Sequence, residues 1–492
     1  MVIWDTTYLI VTLPSPDFKI PPEIEAEMTP AVRAFFDVLI AGFLTHLALV
    51  QADFEARIAG LEDRLQKLTP QNSSLPPSSV HPHGKPIPNK PKSQRKRGGQ
   101  PGHKRHQRSL VPSEQCNEIV TLVPQTCRRC CHPLIGLDPL PLRHQVFEIP
   151  PIVASITEYQ RHRLTCTMCG TRTCGALPVG VPTGQSGPRL IAFTALLMGH
   201  FRQSKRLASE FLQDLLNLPC CPSLTVKMQT IASRALADPH EELRQALAGQ
   251  FNVHMDETPT KEANRKAWLW TAVAKNFVVF AVFRTRAATA ITALLGMDFK
   301  GIINCDRAKM YYIASNLQWC WAHLIRDIQG MIDSKVPERV ELGNSLMDQL
   351  RAMFLQWHRY KADEIDWKEF QVNAIPIATR VNQLLYMGSG CHDSKVRNQC
   401  KSLYAHSNKL WMFISNQGIE PTNNAAERQL RHAVIYRKLS FGTQSQSGSR
   451  FIERIFSVAA TCRIQKRNAF EFIVESVQAK LCNREAPKLL TP

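Results

Sequence analysis

Three acidic residues stand where divalent-metal chemistry would want them. Asp256 ends an apolar, strand-like run in His254-Met-Asp-Glu-Thr258, and Asp306 ends another in Gly301-Ile-Ile-Asn-Cys-Asp306. A lone aspartate at a strand end is more often a cap or a loop residue. Two of them, on strands expected to be neighbours, point to a shared site. Glu427 is the strongest candidate for a third acid, early in a helix that Asn423 or Asn424 can cap. Three carboxylates suffice to hold Mg²⁺, which keeps several waters and bridges to substrate phosphate. Two such ions about 3.5–4 Å apart serve in-line displacement at phosphorus, one activating the attacking oxygen and the other stabilising the leaving one. Glu257 is expected on the opposite face of the strand from Asp256. Arg307, directly after Asp306, is expected to compete for it electrostatically. Residues 428–467 carry nine Lys/Arg and one acid. Arg428, Arg431, Arg437 and Lys438 there are expected to contact phosphates.

A second set of residues suits zinc. Cys127-Arg-Arg-Cys130 and Cys166-Thr-Met-Cys169 are two C-x-x-C pairs with 35 residues between the inner cysteines. Four thiolates at this spacing close a tetrahedral site. Gly170 permits the tight turn such a knuckle requires, and nearby arginines favour the thiolate. Cys131 and Cys174 compete for ligand choice, and buried or redox cysteines are the alternative. A strand pair within 145–165 is expected to fill the separation. In Cys320-Trp-Ala-His323, the histidine is read as a core residue or a phosphate contact rather than a ligand. Trp268, Trp270, Trp319 and Trp321 are read as hydrophobic core.

These residues need elements to hold them. The alternating run around 251–256, the apolar runs 267–274 and 277–283 across a Lys275-Asn276 turn, a helix at 287–296 and the strand 301–306 predict an α/β core. Long helical stretches follow at roughly 321–333, 337–359 and 366–386, an all-helical insertion, and a last helix opens near Asn423. Residues 187–250 read as helical. Upstream, a helix starts at Thr29-Pro30, and Leu47, Phe54, Ile58, Leu61, Leu65 and Leu68 make a short heptad seam, which suggests a dimerising coiled coil. An amphipathic helix packed on its own chain is the other reading.

The charge is divided in the same way. Of 492 residues, 60 are Lys/Arg and 41 are Asp/Glu, a net +19 that points to a polyanionic partner, nucleic acid first. Residues 1–74 are net −5, whereas 75–110 hold nine Lys/Arg and no acid. That Pro-, Ser- and Gly-rich arm, with Lys92, Arg95, Lys96, Arg97, Lys104 and Arg105, is expected to stay flexible and to bind phosphates without sequence preference. The apolar run from Phe35 to Val50 is interrupted by Asp37 and His46 and falls short of the roughly 20 residues of a span, so no membrane segment is expected. The start of the chain lacks a basic region and a small-residue cleavage site, so no signal peptide is expected and the cysteines should be thiols or metal ligands.

Taken in order, the motifs resemble the IS66 family of bacterial insertion-sequence transposases, in the large catalytic subunit. The matching pieces are the leucine-repeat helix, Asn72-Ser-Ser-x-Pro-Pro-Ser-Ser79, Gly98-Gly-Gln-Pro-Gly-His103, the two C-x-x-C knuckles, Asp256-Glu-Thr258 with Trp268-Leu-Trp270, Cys305-Asp306 with Tyr312, Cys320-Trp-Ala-His-Leu324, Asn423-Asn-Ala-Ala-Glu-Arg428, Arg437-Lys438 and Gly442. The resemblance spans about residues 47–485. It implies an aspartate-aspartate-glutamate triad at Asp256, Asp306 and Glu427, using Mg²⁺ or Mn²⁺. It also implies an RNase H-like catalytic domain whose helical insertion occupies the 121-residue step from Asp306 to Glu427. The implied activity is cleavage at element ends and strand transfer into target DNA.

The expected organisation is a multidomain α/β protein. It has an irregular start (1–28), a coiled-coil helix (29–69), a basic arm (70–110) and a zinc-binding, DNA-binding module (111–182). A helical DNA-binding or connector region (183–250), an RNase H-like domain (251–445, insertion about 321–420) and a C-terminal helical region (446–492) follow. Expected partners are terminal repeats, target DNA, a second copy or more of the chain, and small accessory proteins, in the bacterial cytoplasm at the nucleoid. Two other classes stay open. One is a zinc-containing DNA-binding regulator without catalysis, including a catalytically dead copy. The other is a nucleic-acid scaffold assembled through the coiled coil.

Overall fold

The computed structural model describes residues 22–65 and 109–490. The arm residues Lys92, Arg95, Lys96, Arg97, Lys104 and Arg105 lie outside that range. The chain divides into two compact units, one holding 22–65, 179–202 and 228–490 and the other 109–178 and 203–227.

In the first unit, α1 (Pro22–Glu27) precedes the 36-residue α2 (Pro30–Leu65). Proline suits the first turn, and Arg33 N–H closes that turn on Thr29 O at 3.0 Å. Large apolar side chains along α2 are exposed, among them Phe35, Val38, Phe43, Leu49 and Phe54. Leu47, Ile58 and Leu61 of the heptad seam are exposed with them. The side chain of Leu65 and all of Leu68 lie outside the described residues. Pro30–Glu55 is long and apolar enough to cross a membrane by length and composition, with a mean hydropathy of 1.7. This corrects the shorter run read from the sequence. Over a longer window the charge of Asp37 is diluted by its neighbours instead of ending the run.

The second unit contains the cysteine knuckles. Its strands are short, β1 (Arg163–Thr165) and β2 (Arg172–Cys174), paired antiparallel. The longer strand pair expected within 145–165 is not formed. Pro150 and Pro151 sit in the middle of that stretch and remove two ladder donors.

Helices α3 (Pro188–Met198), α4 (Lys205–Leu216), α5 (Pro222–Ala235) and α6 (Ala237–Ala246) lead into the sheet. The strands are β3 (Asn252–Glu262), β4 (Arg265–Val273) and β5 (Val278–Phe283), followed by α7 (Ala288–Leu295), β6 (Ile302–Cys305) and β7 (Leu317–Trp319). The order across the sheet is β5-β4-β3-β6-β7. The first three strands are antiparallel, whereas β6 runs parallel to β3 and β7 parallel to β6. This mixed α/β domain is consistent with an RNase H-like core. β3 runs six residues beyond Asp256, further than the alternation suggested, and β7 went unread because it has only three residues.

The β3–β4 turn places Ala263 and Asn264 at φ 48° and 58°. Both values belong to the left-handed turn that matches strand twist. A third segment braces it. Ala263 N–H reaches Thr443 O at 2.8 Å, and Thr443 N–H reaches Lys261 O at 2.9 Å. Gly442 makes this approach possible, since a Cβ there would lie 2.4 Å from Lys261 O.

The helical insertion comprises α8 (Trp321–Ile332), α9 (Pro337–Lys361), α10 (Trp367–Gly388), α11 (Ser394–Ala405) and α12 (Met412–Ser415). Asp366 and Asp393 cap α10 and α11 through Glu369 N–H and Val396 N–H. Trp357, Phe370 and Phe413 meet edge to face or tilted in its core. Helices α13 (Asn424–Ser440), α14 (Gln446–Ile464) and α15 (Ala469–Leu481) complete the chain, α13 packing on β3 and β4 and α14 on β5.

Candidate active site

The parallel register of β3 and β6 pairs His254 with Asn304. Asp256 and Asp306 each follow two residues after that last registered pair. Asp256 therefore lies inside β3, and Asp306 lies just past the end of β6. Each carboxylate is oriented by a nearby N–H: Glu257 N–H donates to Asp256 Oδ1 and Ala308 N–H to Asp306 Oδ1, both at 2.9 Å.

The third acid arrives on α13, and the loop before that helix is stitched to β3, to β6 and to the start of α8. Asn304 Nδ2 donates to Glu420 O at 2.6 Å, and Trp321 N–H donates to Pro421 O at 3.0 Å. Asn423 Nδ2 donates to Met255 O at 2.6 Å, beside Asp256, while Asn423 N–H points at Cys320 Sγ at 3.1 Å. Cys320 N–H in turn holds Cys305 O at 2.9 Å. Asn423 was expected as a helix cap. Its side chain makes no cap bond and docks α13 on the strand instead. A buried carbonyl on β3 is the more demanding acceptor.

Glu427 lies in the first turn of α13, and His323 Nε2 bonds its Oε1 at 3.0 Å. The His323 hydrogen bond holds this carboxyl below the usual range, with Arg326 and Arg431 assisting. Burial pushes the Asp256 carboxyl well up, and the charges of Glu257, Asp306 and Glu427 add to it. Asp256 thus feels both other acids. Cys320, His323 and Glu427 also offer ligand atoms within 4.8 Å of one another. Burial raises the Cys320 thiol to about 11, and its sulfur already accepts the Asn423 N–H. It belongs more to the scaffold than to a hard-cation site.

Glu257 points the other way, as the strand alternation requires. Tyr311 Oη and Arg286 Nε each donate to it at 2.7 Å, and its side chain is 2% exposed. Arg307 does not compete for Asp306. Its guanidinium pairs with Asp327 on α8. Trp270, Trp319 and Trp321 are buried. Trp268 is half-buried between Lys266 and Arg286, so it is less of a core residue than expected. Of the basic residues, Arg428, Arg431 and Lys438 are exposed. Arg437 donates to Pro259 O at 3.0 Å and ties the far end of α13 to β3. Sequence reasoning missed the roles of His323 and Asn423. The Cys320-Trp-Ala-His323 and Asn423-Asn424 motifs carried the signal, without showing what they would touch.

The two cysteine pairs adopt the same backbone turn. The first cysteine's N–H bonds the carbonyl five residues on, Cys127 to His132 at 2.8 Å and Cys166 to Thr171 at 2.9 Å. Its own carbonyl accepts from Cys131 in one knuckle and Gly170 in the other, both at 2.9 Å. These two donor residues, Cys131 and Gly170, sit at φ 57° and 73°. N–H donors from Cys130 and Arg129 lower the Cys127 thiol, and Thr171 lowers that of Cys169. Each pair is formed. Among the described residues, however, Cys127, Cys130, Cys166 and Cys169 are not drawn into one cluster. All the cysteines are free thiols.

A family model described as "Transposase IS66 family" matches residues 184–450. A second, described as a family of unknown function (DUF6444), matches residues 16–109. No curated protein gives a significant match.

Proposed function

The chain belongs to the IS66 family of transposases, enzymes of the aspartate-aspartate-glutamate type, and on that premise we propose that Asp256, Asp306 and Glu427 are its catalytic carboxylates. In this reading the protein binds the ends of a bacterial insertion sequence, cleaves there and joins the ends to target DNA. The observation that carries it is the convergence of β3, β6 and α13. Asp256 lies on β3 and Asp306 just past the end of its parallel neighbour β6, and the Asn423 clamp on Met255 O brings the first turn of α13 to β3. The donor set fits hard divalent cations, since it offers carboxylate oxygens. Mg²⁺ or Mn²⁺ bound there supplies Lewis acidity for displacement at phosphorus. The protein's own part is to hold the acids in register, to orient Glu427 through His323 and to keep Arg307 away on Asp327.

The same reading assigns zinc to Cys127, Cys130, Cys166 and Cys169. Two matching knuckles, with Cys127 lowered by backbone N–H donors and Cys169 by Thr171, suit it. It assigns loose DNA affinity to the arm, phosphate contacts to Arg428, Arg431 and Lys438, self-association to α2, and action on DNA in the cytoplasm. Strand transfer with end-containing DNA and Mg²⁺ tests the core of the proposal. Asp306→Asn and Glu427→Gln should abolish joining while DNA binding persists. Joining by Asp306→Asn at the wild-type rate would refute the triad.

A further inference from the structure

His432 lies five residues after Glu427 on α13, hence on a different side of that helix. There it meets an unusual set of neighbours. Arg202 Nη1 approaches His432 Nδ1 at 3.0 Å, and Arg463 Nη1 approaches His432 Nε2 at 3.5 Å. Arg463 Nη2 contacts His200 Nε2 at 2.7 Å, and the two imidazole rings lie 5.6 Å apart. These residues border an open cleft between the turn after α3, α13 and α14, also lined by Gln429 and Phe456. Its enclosed part is about 20 Å³, room for roughly one water.

The hydrogen-bond inventory of this cleft does not balance. A guanidinium only donates, and a neutral imidazole has a single acceptor nitrogen. His432 nevertheless faces an arginine at both ring nitrogens. Among the described residues lining the cleft there is no carboxylate. Burial lowers His200 to about 4, followed by the charges of Arg463, His432 and Arg202. Burial and arginines likewise lower His432. Donors and positive charge are in excess, and the small enclosed volume excludes a base or a sugar.

We propose that Arg202, Arg463, His200 and His432 form a phosphate-binding site, separate from the carboxylate cluster, with a phosphate group across the mouth of the cleft. Anionic oxygens supply acceptors for the arginine N–H groups in excess of what the two imidazoles can take. The phosphate comes from a DNA backbone or from free inorganic phosphate, and two measurements distinguish these sources. The site does not depend on the metal triad, so its failure and that of the triad are read by different assays.

The full chain is titrated with duplex DNA without Mg²⁺ across a salt series, as wild type, Arg202→Gln, Arg463→Gln and the control Arg351→Gln. In parallel, melting is followed with inorganic phosphate against chloride at equal ionic strength. For a DNA backbone phosphate, each cleft variant should bind DNA several-fold more weakly. The slope of log affinity against log salt should shrink by about 0.9 for the lost contact, with the control unchanged. For free phosphate, DNA binding stays as in the wild type, and phosphate raises the melting temperature of the wild type but not of the cleft variants. Cleft variants that match the wild type in both assays overturn the proposal. Circular dichroism of each variant confirms folding, and Arg463→Lys, which keeps the charge, should retain most of the affinity.

Discussion

Glu427 illustrates what a single residue gains from its surroundings. Its carboxylate is 39% exposed, open enough to meet a metal and a substrate, while His323 fixes one oxygen. Partners of this kind orient metal-binding carboxylates, and their loss typically costs about 10–100-fold in metal affinity or activity. His323→Ala should therefore raise the Mg²⁺ concentration for half-maximal strand transfer and slow joining by roughly that factor, with DNA affinity unchanged. His323→Gln, which keeps a donor, should recover part of the loss. An unaltered Mg²⁺ dependence in His323→Ala would make the histidine a packing residue only. At this scale the sequence offered candidates but not their partners. Asp256, Asp306 and Glu427 stood out because they end apolar runs or open a helix. The partner of Glu427 did not, because 104 residues separate it from His323.

At the scale of elements, the edge of the sheet is closed by a helix. Among the described residues, strand β5 has no neighbour strand on its outer side. Its outward N–H groups at Val278, Phe280 and Val282 donate to Thr461 Oγ1, Ser457 Oγ and Glu453 Oε1 of α14, at 3.1, 2.8 and 2.6 Å. The match is geometric. Four residues of helix advance roughly 6 Å, and two residues of strand roughly 6.7 Å. An edge that could recruit another strand is thereby satisfied inside the fold. Ser457→Ala should leave the Phe280 N–H buried without an acceptor and cost about 1–3 kcal/mol in denaturant unfolding. Burial raises Glu453 from 4.5 to about 7. A carboxyl raised on folding stabilises the protein fully below its unfolded pKa, and the contribution fades as pH rises through the folded one. Its share should thus decline between about pH 4.5 and 7, by at most ~1.4 kcal/mol per pH unit. Denaturation of Glu453→Gln, which keeps the amide acceptor, should show a flatter decline over that window. None of this edge closure was readable beforehand, because Ser and Thr in a helix look like weak helix formers until the strand they serve is in place.

At the scale of the molecule, the proposed roles of charge and of metal are tested separately. Deleting 75–110 removes nine positive charges and no acid. It should weaken binding to all duplexes alike and reduce the salt slope, whereas a loss confined to terminal repeats would contradict a non-specific arm. Native mass spectrometry should find about one zinc per chain, lost in Cys166→Ser, if the two knuckles close one site. The exposed apolar length of α2 is the counterpart of the heptad expectation. Ile58→Glu should lower the mass measured by light scattering if that helix joins copies of the chain, and an unchanged mass would remove the coiled-coil assignment.

The sequence by itself determined what periodicity and residue chemistry encode. The β4–β5 hairpin, the helices of the insertion and the paired knuckles are all local signals, carried by spacings of two to seven residues. Tertiary structure decided which distant signals meet. The Asn423 side chain reaches across 168 residues to Met255 O, and Arg463 crosses 263 residues to His200. Such contacts depend on strand register and on which helix face finds the sheet. Both are set by burying apolar surface and satisfying buried donors across the whole fold, so no local pattern records them.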